Sequence, residues 1–178
     1  MNDLRDRLRL RPEEPADHEA VDTVTDAAFG AVGGPSLERR LVGGLRADGD
    51  LVPELTVVAE VDGEVVGHVA CSRGTLDGAP SIGLGPISVR PDLQRQGIGA
   101  ALMSAVIVTA DQRGEPVIVL LGDPEYYGFF GFVPASRLGI GSPGPWEDRF
   151  FQARPLQAWR PELAGPFRYA AAFDRLED

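Results

Sequence analysis

A chain of 178 residues, 43% hydrophobic and 25% charged, has the size and composition of one globular domain that needs neither disulfide nor metal to close its core. With 17 basic residues against 27 acidic ones, the formal charge of −10 argues against a general binder of nucleic acid or anionic membrane. Every basic residue is arginine, which excludes a Walker A lysine, a Schiff-base lysine and modification of its own lysine side chains.

The alternation Arg7-Leu8-Arg9-Leu10-Arg11 predicts a short strand with one buried face. Beyond Pro12 and Pro15, the positions Ala16, Ala20, Val21, Val24, Ala27 and Ala28 follow helical spacing until the glycines at 30, 33 and 34. Ser36 is placed to cap a second helix with the inner face Leu37, Leu41, Val42 and Leu45. Leu55–Val61 and Glu64–Ser72 read as strands joined through Asp62-Gly63, a strong hairpin signal. Arg73–Ser81 reads as a polar loop, and Ile82–Val89 as a further strand. A loop of mixed charge then leads to an apolar helix from Gly97 to Thr109, which Arg113-Gly114 ends. Val117–Leu121 reads as a fully buried strand. From Gly122 onward the chain is rich in glycine, proline and aromatics, with short strands at Arg149–Ala153 and Phe167–Ala171. Strands and helices interleave without a repeat, so the expected class is mixed α/β in a single domain over residues 1–178.

Cys71 stands alone, and the two histidines, His18 and His68, are far apart, so no metal-ligand spacing is present. The N-terminus mixes charges and no apolar run reaches the length of a membrane span, so a cytoplasmic location is the default expectation. Cys71 reads as a small buried residue, and His18, Glu13-Glu14 and Glu177-Asp178 as solvated surface.

Chemistry concentrates where the strand Ile82–Val89 passes through Arg90-Pro91-Asp92-Leu93-Gln94-Arg95 into Gln96-Gly97-Ile98-Gly99-Ala100. Glycines at a helix start let backbone N–H groups approach an anion, and the helix dipole favours negative charge there. Arg90 and Arg95 add charge-assisted contacts for phosphate oxygens. The plain alternative is that Gly97 and Gly99 only permit close packing of helix on sheet. A dinucleotide reading would use Gly97, Gly99 and, about 20 residues on, Asp123. Its third glycine position holds Leu102, however, and its turn is too long.

The segment Gly85–Ala110, with its Q-x-x-G-x-G turn from Gln94 to Gly99, resembles the central motif of the GCN5-related N-acetyltransferase (GNAT) family. Leu121-Gly122-Asp123-Pro124-Glu125-Tyr126-Tyr127 and Gly128-Phe129-Phe130-Gly131-Phe132 resemble a run found in its YhbS-like branch, and the tail Phe150–Leu156 and Ala164–Phe173 is similar in pattern. The resemblance implies a mixed, mostly antiparallel sheet, splayed at a cofactor slot and flanked by helices. It implies acetyl-CoA as cofactor, without metal. The pyrophosphate would be held at Gln94, Arg95, Gln96, Gly97, Ile98, Gly99 and Ala100, and pantetheine along Ile87, Ser88 and Val89. Tyr127, four residues before Gly131, is implied as the acid that protonates the departing thiolate, with Tyr126 the lesser candidate. Pro86, lacking an N–H, suits a bulge or edge beside such a slot. Where members use a carboxylate base on the strand read as Ile82–Val89, this chain has none, and position 83 is glycine. A base must then come from elsewhere, with His68 the titratable candidate, or act through water; Asp77 and Glu54 are candidate acceptor-site acids, and a non-catalytic acyl-CoA-binding module stays open. The implied acceptor is an amine on a small molecule or peptide, with no nucleic acid or membrane partner, and a homodimer is compatible. Phe29–Pro35 and Arg73–Ser81 are the loops expected to shape its pocket.

Overall fold

The computed structural model describes residues 3–176. In chain order its elements are α1 (Leu4–Arg7), β1 (Leu8–Pro12), α2 (His18–Ala28), α3 (Leu37–Asp48), β2 (Val57–Val61), β3 (Glu64–Leu76) and β4 (Ala79–Val89). They continue with α4 (Ile98–Gln112), β5 (Val117–Leu121), α5 (Pro124–Tyr127), β6 (Val133–Pro134), β7 (Phe151–Pro155), β8 (Phe167–Arg168) and α6 (Ala171–Asp174). The strands form one mixed sheet in the order β1-β2-β3-β4-β5-β7-β6, with β8 added to β3.

Two Asp-Gly turns set the middle of this sheet. Asp62-Gly63 joins β2 to β3 with φ of +54° and +84°, and Asp77-Gly78 joins β3 to β4 with +47° and +81°. Positive φ at both central residues matches the right-handed twist of a two-residue hairpin. The second turn corrects the polar loop expected over Arg73–Ser81. There the buried positions of β3 include Gly74, and β8 explains why: a Cβ on Gly74 would lie 2.6 Å from Arg168 O and 2.9 Å from the Phe167 ring. A strand whose inward residue must be glycine shows no apolar alternation to read.

Side chains alternate between two helical layers. Val57, Ala59 and Val61 of β2 join the core under α4, with Ile98, Leu102, Met103 and Val106. Val58 and Ala70 face the other way, onto Val21 of α2 and Val42 of α3. Gly67 of β3 brings α4 close, since a Cβ there would lie 3.1 Å from Ile98 and 3.3 Å from Leu102. Ser36 caps α3 as expected, its Oγ accepting from Arg39 N at 3.1 Å. Leu37, expected on the inner face of α3, is 52% exposed, because that first turn borders a cavity rather than the sheet.

β4 and β5 run parallel but pair only at Ile82 with Ile118 and at Gly83 with Val119. Beyond that point β4 keeps its β3 partner, through a bulge opposite Val69–Cys71, while its other edge stays open to Val89. Pro86, in the middle of that edge and without an N–H, loses no ladder bond by it. Among the described residues, no helix is long and apolar enough to cross a membrane.

The segment between β1 and α2 carries a second correction. Glu13 is not solvated: its side chain is 6% exposed and accepts from Arg46 Nη2 at 2.6 Å, with His68 Nε2 at 2.7 Å and His18 Nε2 at 3.3 Å. Burial works to raise the Glu13 pKa, but His68 and Arg46 outweigh it and hold the carboxyl below the usual carboxylate range. A depressed folded-state value stabilises the fold above the unfolded pKa, about 4.3, and that stability is lost as pH falls through the folded value. Glu13→Ala is therefore expected to cost about 1–3 kcal/mol at neutral pH, since it leaves the buried His68 Nε2 without its partner and removes the ion pair with the part-buried Arg46. Thermal melts between pH 7 and pH 3 should fall less steeply for Glu13→Gln than for the parent; equal slopes would refute this role.

Candidate functional site

The turn before α4 is built around two positive-φ residues, Arg95 at +59° and Gly97 at +94°. Gly97 is the N-cap of α4 and offers no capping side chain, and the first intrahelical bond runs from Ala101 N to Gly97 O at 3.0 Å. The N–H groups of Ile98, Gly99 and Ala100 are consequently without intrahelical acceptors, at the positive end of a 15-residue helix. A Cβ added to Gly97 would meet nothing within 4 Å, so the space above that residue is open. This is a ready site for an anion.

A cavity of about 390 Å³ opens on this turn, lined by Ile87 and Val89 of β4, by Gln94, Arg95, Gly97, Gly99 and Ala100, and by Tyr126. The structure thus gathers seven of the ten cofactor positions named from the sequence. Ile98 is buried beneath, packed in the α4 core, and only its backbone is placed to contribute. Gln96 ties the loop, donating from Nε2 to Asp92 O at 3.2 Å, as Gln94 does to Val89 O at 3.0 Å. Ser88 turns the other way, its buried Oγ 3.3 Å from Thr25 Oγ. Arg90 N donates to Val66 O, and ladder alternation then directs the polar backbone of Ser88 to β3 and that of Ile87 and Val89 to the open edge. The two arginines also part ways. Arg90 is paired with Asp92 at 2.7 Å and Glu64 at 3.3 Å, whereas Arg95 lines the cavity.

A second cavity of about 400 Å³ begins at Ile87, which it shares with the first, and follows Leu84, Gly85 and Pro86 back to where β4 and β5 meet. Its walls include Leu121 and Tyr127, and it reaches α2 and α3 at Phe29, Glu38 and Leu41. The two tyrosines therefore divide. Tyr126 closes the turn, its hydroxyl so near that a Cβ on Gly99 would lie 2.8 Å from it. Tyr127 lies edge-on to Tyr126 with ring centroids 4.9 Å apart, and its ring fills the space above Gly122. Burial pushes the Tyr127 phenol up to about 12, with smaller contributions from Tyr126 and Asp123.

The glycine at position 83 has a physical cause. A Cβ there would lie 3.1 Å from the Tyr169 ring, so an acidic side chain has no room on that face of β4. The candidate base His68 and the candidate acceptor-site acids Glu54 and Asp77 lie elsewhere. His68 is fully buried and held by Glu13, Glu54 pairs with Arg113 at 3.0 Å, and Asp77 forms a hairpin turn packed on Gly165. Cys71 lies in the α4 core, where burial raises its thiol pKa. Asp123 accepts from Glu125 N at 2.9 Å as the cap of α5, which accounts for an acid at that position without a ribose. Of the loops expected around the acceptor, Phe29 is in place, but Arg73–Ser81 lines neither cavity. Glu38 and Trp146 had no part in the sequence reading, and Tyr169 and Phe173 entered it only within the tail pattern Ala164–Phe173, with no role at a site. The Tyr169-x-x-x-Phe173 spacing, whose rings stack at 4.3 Å, was the one local sign of that wall.

Comparisons with known proteins agree with this geometry. The profile of the acetyltransferase (GNAT) family matches residues 18–129. The N-acetyltransferase YhbS of Escherichia coli is 30% identical over 151 residues, covering 84% of this chain and 87% of that protein. Its crystal structure in complex with CoA superposes with a TM-score of 0.84 at 28% identity, covering 95% of this chain and 93% of that one. A GNAT acetyltransferase from Brucella melitensis, in complex with acetyl-CoA, gives 0.75 at 35% identity over 94% of this chain and 98% of that one. An open edge between two parallel strands, a glycine turn at a helix start and a family match across both together establish that the chain belongs to the acetyltransferase (GNAT) family.

Proposed function

We propose that this protein is an acetyl-CoA-dependent N-acetyltransferase that moves an acetyl group directly to an amine. The observation that carries the reading is the opening between β4 and β5 beyond Gly83 and Val119, which has the anion turn at one end and Tyr127 at the other. Acetyl-CoA supplies, when bound, a thioester whose carbonyl carbon accepts the amine nitrogen while the carbon–sulfur bond breaks.

The backbone N–H groups of Gly97–Ala100 and the Arg95 guanidinium are suited to its pyrophosphate. The free N–H and C=O groups of Ile87, with the N–H of Val89, are suited to pair with the pantetheine amides, as in strand addition; the Val89 C=O is already taken by Gln94. Tyr126 closes the pyrophosphate end. Tyr127 Oη gives its proton to the leaving sulfur, the amine loses one proton to solvent as the amide forms, and the tyrosinate regains one from solvent, so the exchange balances. A phenol stays protonated where a carboxylic acid would not, and the elevated pKa of Tyr127 extends that range.

Two measurements test the reading. Calorimetric titration should show CoA binding, and free thiol should appear from acetyl-CoA only when an amine is added. Binding without thiol release across a broad amine library would reduce the protein to an acyl-CoA binder. The pH profile is a further expected result. A required acid with a pKa near 12 stays protonated through the usable range, so kcat should rise as the amine deprotonates and then level off. A fall in kcat between about pH 8 and about pH 10, with the protein still folded, would exclude Tyr127 as that acid.

A further inference from the structure

The second cavity has a chemical character that narrows the acceptor. Its walls are mainly apolar, and they include the aromatic groups Trp146, Tyr169 and Phe173. Three of the large hydrophobic side chains left exposed by the fold, Phe29 (43%), Leu121 (42%) and Trp146 (38%), are gathered on this one cavity. Apolar surface concentrated at a concave mouth marks a binding site rather than ordinary surface scatter. The volume, about 400 Å³, lies toward the small end of the range for small-molecule pockets, about 300–1,000 Å³.

Glu38 is the one charged side chain on these walls. Of the arginines nearest to it along α3, Arg39 is committed to Asp22 and Asp26, and Arg40 is exposed at i+2, a spacing whose side chains do not face each other on a helix. Among the described residues no cation pairs with Glu38. A carboxylate beside an apolar chamber and without a partner is a site for one positive charge.

We infer, on the acetyltransferase reading above, that the acceptor is a monocationic primary amine carried on an aromatic or alkyl body, its ammonium read by Glu38 on binding and its body by the aromatic wall, with the ammonium losing one proton to solvent before its nitrogen attacks the thioester. The same walls select against other amines. A polyamine would bring two or more charges to one carboxylate. An amino sugar would leave its hydroxyls without partners on apolar walls. A free α-amino acid would set its own carboxylate against Glu38, with no arginine on the cavity to receive it.

Binding to the CoA-saturated protein, followed by calorimetry, tests the class separately from catalysis. The probes are 2-phenylethylamine, its neutral isostere 2-phenylethanol, spermidine, glucosamine and phenylalanine. 2-Phenylethylamine should bind at least about tenfold more tightly than spermidine, glucosamine or phenylalanine. Glu38→Gln should weaken 2-phenylethylamine about tenfold and leave 2-phenylethanol unchanged. Equal or tighter binding of spermidine, glucosamine or phenylalanine, or no binding of 2-phenylethylamine, overturns the inference. So does a Glu38→Gln variant that binds 2-phenylethylamine as the parent does. If 2-phenylethylamine binds in this pattern but neither it nor any other amine releases thiol from acetyl-CoA, the cavity's ligand class stands, while the proposal of catalysis, and with it the acceptor role, fails.

Discussion

Tyr127→Phe is expected to lower kcat by roughly ten- to a thousandfold while leaving the affinity for acetyl-CoA close to that of the parent. The substitution is clean because the ring, not the hydroxyl, does the packing. Its edge meets Tyr126 and Phe132, with centroids 4.9 Å and 6.0 Å away, and its face fills the space above Gly122. Phenylalanine keeps all of these contacts, so the melting temperature should hardly move. A proton donor acts only as the carbon–sulfur bond breaks, so the loss belongs in kcat and not in cofactor binding. Tyr126→Phe provides the contrast. Its hydroxyl lies at Gly99, at the turn, so any effect should fall on the cofactor's dissociation constant and not on the chemical step. Unchanged turnover in Tyr127→Phe, with chemistry shown to limit the rate, would refute the role. A Tyr126→Phe variant that lost kcat instead would transfer it to the neighbouring ring.

What could be read from the chain alone was what local conformation encodes. The glycine turn and the helix behind it are contiguous, so Gln94–Ala100 was legible as a candidate anion site before any tertiary contact was known. The Asp62-Gly63 hairpin stood between apolar runs and was equally plain. An identical dipeptide at Asp77-Gly78 went unread because the strands around it bury Gly74 and Gly83 against Phe167 and Tyr169, and glycine has no hydropathy to alternate. The same pairing across more than 80 residues hid the reason for the missing strand carboxylate. Glu13 was misplaced as surface for a similar cause. Its partners, Arg46 and His68, are 33 and 55 residues distant, and only the fold brings a guanidinium and two imidazole rings to one carboxylate. Ser88 shows the limit within a legible motif. Spacing placed it beside Ile87 and Val89, but the pleat turns its hydroxyl to Thr25 and its backbone to β3.

Gly97→Val should weaken CoA binding by about tenfold to a few hundredfold, the largest change in affinity expected of a single substitution in the turn. Two effects act together. At φ +94° a β-branched residue is strained by about 1–2 kcal/mol, so the turn relaxes and the N–H groups of Ile98–Ala100 lose their common aim. The new side chain also enters the open space above residue 97, where nothing of the protein lies within 4 Å and where an anion would approach. Each hydrogen bond lost to a charged oxygen is worth about 1.5–3 kcal/mol, which sets the scale of the affinity change. The fold should survive with a melting point a few degrees lower, because α4 is anchored further along by Leu102, Met103 and Val106. Arg95→Ala separates charge from the amide cradle: its penalty should be smaller and should shrink as salt is raised, while that of Gly97→Val should not. A folded Gly97→Val protein that binds CoA as tightly as the parent would place the pyrophosphate somewhere other than this turn.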